Sequence, residues 1–285
     1  MSATLTVVVG STAPASLEAC LRGLEPQRAG ADVVVYEGDA AGPELRARFP
    51  WARFEERPGL LVPELWRDGI DAAQGEIVAL TIAQMVPAPD WLARVRELHA
   101  RYDATAGAID PGRDLRPTDW AEYFCRYARE MLPFPERDTI DLPGDNAAYK
   151  RALLEGVREL YRDGFWEPVV HRRLAAQGTR LHQSPTMVVF QGPSAGWHAF
   201  VRQRLAHGRK YGHQRGAVFT TARTLAGVAG APLVPFLMSW RVLRQVAAKR
   251  RYRLRAVGTL PIIFSFNVVW AYAEARGHLD VLLGR

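Results

Sequence analysis

An unbroken apolar run, Ile77-Val78-Ala79-Leu80-Thr81-Ile82, is bounded by Gly75 on one side and by Pro87 and Pro89 on the other. Such a run predicts a strand buried on both faces, as in the middle of a parallel sheet. Proline donates no amide hydrogen, so Pro87 and Pro89 should stop the ladder. Thr81, Ile82, Ala83 and Gln84 then stand at the carboxyl end of a central strand, the edge where open α/β sheets take ligands. Upstream, residues 5–9, an amphipathic stretch over 16–24 with Ser16 as its N-cap, and the β-branched run 31–36 predict a βαβ opening with a right-handed crossover. Residues 54–61 predict a short strand and a Pro58-Gly59 turn, and helices are expected over 64–74 and 89–102. Residues 103–138 show little period, although Trp120, Tyr123, Phe124 and Tyr127 recur at three- or four-residue steps. That stripe reads as packing, with a sugar-stacking platform as the alternative. Residues 179–191 predict an edge-like strand.

Composition narrows the class. With 285 residues, 48% of them hydrophobic, the chain can bury a sizeable core. Cys20 and Cys125 lie far apart, which argues against a disulfide framework or a zinc site and for a reducing, cytoplasmic setting. Met1-Ser2-Ala3-Thr4 runs straight into the first strand with no basic leader pattern, so the globular part is expected to stay in the cytosol. A net charge of +7 asks for an anionic partner. Much of it lies late in the chain, where residues 197–215 interleave aromatics with Arg202, Arg204, Arg209 and Lys210. Such a helix suits an anionic bilayer surface; a nucleic-acid groove is less expected, because no binding module accompanies it. Residues 225–246 and 256–273 are the most hydrophobic segments, but Pro232, Pro235, Pro261 and Asn267 interrupt them. A bilayer span takes roughly 20 apolar residues, so each is marginal. The basic run 249–255 between them favours two interfacial or re-entrant helices at cytoplasmic headgroups. A helical pair folded on the domain or on a second subunit is the soluble alternative.

Several motifs, in order, resemble the family 2 glycosyltransferases. Val86-Pro87-Ala88-Pro89-Asp90-Trp91-Leu92 is similar to the family's "P-x-P-x-W-L" element, and Leu65 to Gly75 to its "A-R-N-x-G-I-x-x-A-x-G" helix. Leu142-Pro143-Gly144-Asp145-Asn146-Ala147-Ala148-Tyr149-Lys150-Arg151 resembles "G-x-N-x-A-x-R-R". Residues 163–178, with Gly164-Phe165-Trp166-Glu167, resemble the segment holding the catalytic carboxylate pair, and residues 269–279 the ending of membrane-associated members. The acidic D-x-D motif is absent: Thr81, Ile82, Ala83 and Gln84 stand in its place, and Phe190-Gln191 where relatives place a metal-binding histidine.

The resemblance implies a GT-A, Rossmann-like α/β domain over residues 1–195, a mixed and mainly parallel sheet flanked by helices, followed by amphipathic and hydrophobic helices over 196–285. It implies inverting transfer from a nucleotide-sugar to a lipid or lipid-linked glycan at the cytoplasmic face of a membrane. Glu167 would be the base, with His171 one turn on to orient it or to face solvent; the bland reading of Glu167 is a helix-start acid. Donor contacts would fall to Ser11, Thr12, Glu37, Asp39, Arg67, Thr81 and Gln84, and sugar or acceptor contacts to Asp145, Asn146 and Trp166. Turn chemistry for Glu37 and Asp39, an i+4 pair with Asp71 for Arg67, and helix capping for Asp145 and Asn146 are the structural alternatives. Arg202, Arg209 and Lys210 would stabilise the departing diphosphate, and Mg or Mn is admitted by the chemistry although its usual ligands are missing. A glycosyltransferase-like binder without turnover is the rival reading.

Overall fold

The computed structural model describes residues 4–193 and 196–284. Met1-Ser2-Ala3 and the expected boundary at residue 195 lie outside the described residues. Two compact units form, one from Met1–Arg113 with Glu130–Gly192 and the other from Asp114–Arg129 with Pro193–Arg285.

The strands are β1 (Leu5–Ser11), β2 (Ala31–Glu37), β3 (Arg53–Glu56), β4 (Ile77–Ile82), β5 (Met85–Pro87), β6 (Ala104–Pro111), β7 (Arg137–Thr139), β8 (Asn146–Lys150) and β9 (Leu181–Gln191). The helices are α1 (Pro14–Leu24), α2 (Pro43–Arg48), α3 (Val62–Ala72), α4 (Trp91–His99), α5 (Pro117–Tyr127), α6 (Arg151–Glu155) and α7 (Glu167–Ala176), then α8 (Trp197–Val218), α9 (Thr221–Gly230), α10 (Val234–Lys249), α11 (Arg253–Gly258) and α12 (Leu260–Leu282).

In the first unit the strands form one sheet in the order β3-β2-β1-β4-β8-β6-β9-β5, with β7 added beside β9. Strands β3, β2, β1 and β4 are parallel, β8 runs antiparallel between β4 and β6, and β6 is parallel to β9. The expected mixed, mainly parallel α/β class is what the chain adopts. Its central strands are buried throughout: every residue of β1 and β4 is buried, as the apolar runs require.

Three local expectations are corrected. Helix α1 starts at Pro14 with Ala13 in the cap position, so Ser16 lies inside the helix; proline presets the backbone angle of a first turn. Strand β4 ends at Ile82, and the short β5, paired antiparallel with β9 at the sheet edge where a missing amide hydrogen is tolerated, ends at Pro87 as expected. Residues 103–138 hold β6 and α5; β6 escapes notice because it reads ATAGAIDP, small residues of low strand preference. Small size is what its place demands, since a side chain on Gly107 would collide with the Met187 carbonyl of β9. Finally, Ala147 begins no helix: residues 146–150 are strand β8, which removes the capping role expected of Asp145 and Asn146.

The second unit gathers α5 and α8 to α12. The aromatic stripe of α5 packs inside it, Trp120 against Phe124 at 5.4 Å and Tyr252 at 4.7 Å, so packing holds and the sugar platform falls. Helices α8 and α12 approach until backbone meets backbone: a side chain on Gly212 would lie 2.1 Å from the Glu274 carbonyl oxygen, and one on Gly277 2.0 Å from that of Arg209. Arg204, which is buried, lies over the rings of Phe200 and Trp270 at 5.0 and 5.2 Å. Among the described residues one stretch, Thr221–Lys249, is long and apolar enough to cross a membrane. It leaves Leu233, Phe236, Leu237 and Trp240 more than 60% exposed.

Candidate active site at the carboxyl edge of the sheet

Parallel pairing places the ends of β1, β2 and β4 at one edge: Ser11 and Thr12, then Glu37 to Asp39, then Ile82 to Gln84. Because β8 is antiparallel to β4, with Asn146 opposite Thr81, the loop 140–145 that enters β8 opens at the same edge. Against this loop stands the start of α7, with Glu167 in its first turn. Gly164, at φ 116°, makes the left-handed turn that leads through Phe165 and Trp166 into the helix.

Glu167 is half-buried, and its Oε1 accepts the Gly144 N–H at 3.2 Å. A side chain on Gly144 would sit 2.6 Å from that oxygen and 2.6 Å from the Trp66 ring, so glycine alone lets the loop pass between them. Burial pushes the Glu167 carboxyl up to about 8; the charges of Asp145 and Asp141 add to this, and amide donors including Gly144 N–H oppose it. The same carboxyl is thus a proton acceptor matched to near-neutral chemistry.

His171 does not face solvent. It shares the Glu167 face of α7 as expected but is fully buried, its Nδ1 hydrogen-bonded to the Asp141 carboxylate and its Nε2 2.8 Å from the Tyr149 hydroxyl. It touches no open surface, so it orients its surroundings rather than reacting. Burial, reinforced by Glu167 and Asp141, pushes the Tyr149 phenol well above its ordinary range.

The other expected site residues divide. Ser11 has a buried hydroxyl with no partner, Thr12 is half-buried, Asp39 is exposed, and Gln84 is half-buried with its carbonyl accepting Gly192 N–H at 2.8 Å. Thr12, Asp39 and Gln84 keep surface at this edge, while the Ser11 side chain is enclosed. Trp166 is buried at the α7 cap position, and Asp145 is buried in the loop beside Glu167. Glu37 serves the turn: its carboxylate accepts Ala41 N–H at 2.7 Å and pairs with Arg46 at 2.6 Å, with no side-chain exposure. Thr81 is likewise enclosed, its hydroxyl donating to the Asp145 carbonyl at 3.0 Å. Asn146 is corrected outright as a sugar contact. Its carbonyl accepts the Trp91 indole N–H at 2.7 Å and its amide donates to Ala108 and Met187 at 2.8 and 2.9 Å, at zero exposure. It staples the sheet, and at zero exposure it is closed to a ligand.

Arg67 pairs with Asp68 at 2.6 Å and not with Asp71, which Arg158 takes at 2.9 Å. With Asp71, Arg158, Glu159, Tyr161 and Arg162 it lines an open cleft of about 550 Å³. Arg202, Arg209 and Lys210 belong to the second unit; Arg202 is exposed and Arg209 is ion-paired with Asp280 at 2.6 Å. Sequence reasoning missed Asp141, Tyr149 and Trp66, whose indole N–H donates to the Thr81 carbonyl at 2.9 Å. No spacing marks them, because strands and helix distant in sequence bring them together.

A divalent ion does not fit these residues. The tip of β4 offers an enclosed hydroxyl, two apolar residues and an amide, and Gln191 a buried amide with neither polar atom partnered. Among the described residues no three His, Cys, Asp or Glu converge to hold a metal.

No protein-family model matches the chain. No curated protein matches it. Solved structures do. The mannosyltransferase PcManGT from Pyrobaculum calidifontis, in complex with GDP-Man and Mn2+, is 20% identical with a TM-score of 0.57, over 100% of this chain and 88% of that one. GalNAc-T7 with UDP, GalNAc and Mn2+ is 13% identical with a TM-score of 0.50, over 68% of this chain and 45% of that one. At these identities the likeness is one of fold: the chain is built on the GT-A-like α/β scaffold of glycosyltransferases.

Proposed function

We propose that the chain is an inverting glycosyltransferase of the family 2 type, moving a sugar from a nucleotide-sugar donor to a hydroxyl of a lipid or lipid-linked glycan. One observation carries the reading: Glu167, its carboxyl raised to about 8, stands at the ligand-taking edge of a glycosyltransferase scaffold, held by Gly144. In its ionised form Glu167 takes the acceptor proton as the hydroxyl oxygen attacks the anomeric carbon and the nucleoside diphosphate leaves from the opposite face. Ser11, Thr12, Asp39 and Gln84 surround the donor, and Asp145 and Trp166 border the sugar. The missing carboxylate set supports stabilisation of the leaving diphosphate by cations of the chain, for which Arg202, Arg209 and Lys210 are proposed; Asp280 must release Arg209 for it to take part.

The exposed Leu233, Phe236, Leu237 and Trp240, with the basic run 249–255, support docking on an anionic membrane, as a peripheral or monotopic protein at its cytoplasmic face. The test is release of nucleoside diphosphate from UDP-, GDP- and TDP-sugars by protein supplied with lipid extract, in EDTA or Mn2+, for wild type and Glu167→Gln. Release that survives EDTA and collapses in the variant is expected. Binding of a sugar nucleotide without any release would replace transfer with a binding function.

A further inference from the structure

Two side chains of α7, one turn apart, grip the same loop from the same face. Glu167 accepts the Gly144 N–H, and His171 is bonded to Asp141. The Leu142 N–H of the same loop also lies 3.2 Å from Nδ1, while Nε2 lies 2.8 Å from the Tyr149 hydroxyl, so one imidazole ties two loop residues to the sheet. Tyr149 lies on β8, at zero exposure, against the edge of the Phe165 ring. The chain of bonds therefore runs from the sheet, through a buried imidazole, to a carboxylate that is 36% exposed.

A buried Tyr–His pair is costly to assemble unless every polar atom is satisfied, and here the two are satisfied by each other and by Asp141. The charged groups facing Glu167 are Asp141 and Asp145 on the loop, and Tyr149 behind it feels both Glu167 and Asp141.

We propose that Asp141, anchored through the buried His171 and Tyr149, is the positioning residue that holds loop 140–145 and Glu167 in working register. This rests on the glycosyl-transfer reading for its catalytic consequence, but not for the coupling itself. Asp141 keeps a negative charge beside Glu167 and fixes the loop whose Gly144 N–H meets it. His171 acts through Asp141 and never meets substrate.

The test uses the full chain, labelled for NMR. The Glu167 carboxyl carbon is titrated, and the His171 ring nitrogens are recorded, in wild type, Asp141→Asn and Tyr149→Phe. In Asp141→Asn the Glu167 midpoint should fall by roughly one unit as a like charge is removed. In Tyr149→Phe the His171 Nε2 signal should shift as its bond to the hydroxyl is lost, while the melting curve stays cooperative. Kinetically, Asp141→Asn should lower kcat and shift the pH profile downward at unchanged donor KM. An unmoved Glu167 midpoint in Asp141→Asn, or an unchanged His171 Nε2 signal in Tyr149→Phe, overturns the proposal. Absence of turnover in wild type would instead remove the glycosyl-transfer reading and leave the NMR result to judge the coupling.

Discussion

Glu167→Gln should make the protein more stable at alkaline pH while disabling it. The exchange preserves size and the oxygen that accepts Gly144 N–H, and removes only the ionisation. In the unfolded chain the carboxyl releases its proton near 4.5; in the folded chain it does so at about 8. Between those values the folded chain keeps a proton that the unfolded chain has lost, so wild-type stability falls as pH rises through the window and levels off above it. At about 1.4 kcal/mol per unit the full difference is on the order of 5 kcal/mol. The side chain is half-buried, and solvent screening reduces this to roughly 2–3 kcal/mol. Urea titrations of both proteins at several values from about pH 5 to pH 9 measure it. The curves should coincide near pH 5 and separate progressively, with the variant the more stable. Parallel curves would refute the claim that burial raises this carboxyl. In activity, wild-type kcat/KM should climb with pH through about 8, and the variant should lose about a hundredfold or more in kcat with donor binding retained.

Asn146→Ala should be strongly destabilising without being a binding mutation. It leaves the Trp91 indole and the Ala108 and Met187 carbonyls buried and unpaired, at about 1–3 kcal/mol for each, so a loss of at least 3 kcal/mol in denaturant titration is expected. Gly212→Val should loosen the α8–α12 pair by about 1–3 kcal/mol or more, seen as faster amide exchange in both helices, because the Glu274 backbone has no room to yield. Phe236→Ser and Leu237→Ser should each weaken sedimentation with anionic vesicles by about tenfold or more, from about 1.5–3 kcal/mol of lost burial. Unchanged partitioning in both would remove the membrane-docking proposal.

The apolar runs determined the frame. Ile77–Ile82 is the strand its pattern predicts, and the βαβ opening follows from alternating runs whose burial on both faces leaves parallel pairing as the outcome. The position of Glu167 at a helix start was equally legible, since Gly164 and Pro168 punctuate the chain around it. Strand β6 was not, because its small residues are chosen by neighbours that lie across the sheet and not along the chain. The role of Asn146 inverted for the same reason. A short polar residue after a glycine looks like a ligand contact until Trp91, Ala108 and Met187, from three separate elements, are seen to bond it inside the sheet at zero exposure. His171 was placed on the correct face by helical period alone. That this face is buried, and that Tyr149 and Asp141 meet the imidazole there, depends on how β8, the loop before it and α7 converge. Residues 22 and 30 positions from His171 share no local pattern with it, and only tertiary packing sets their distances.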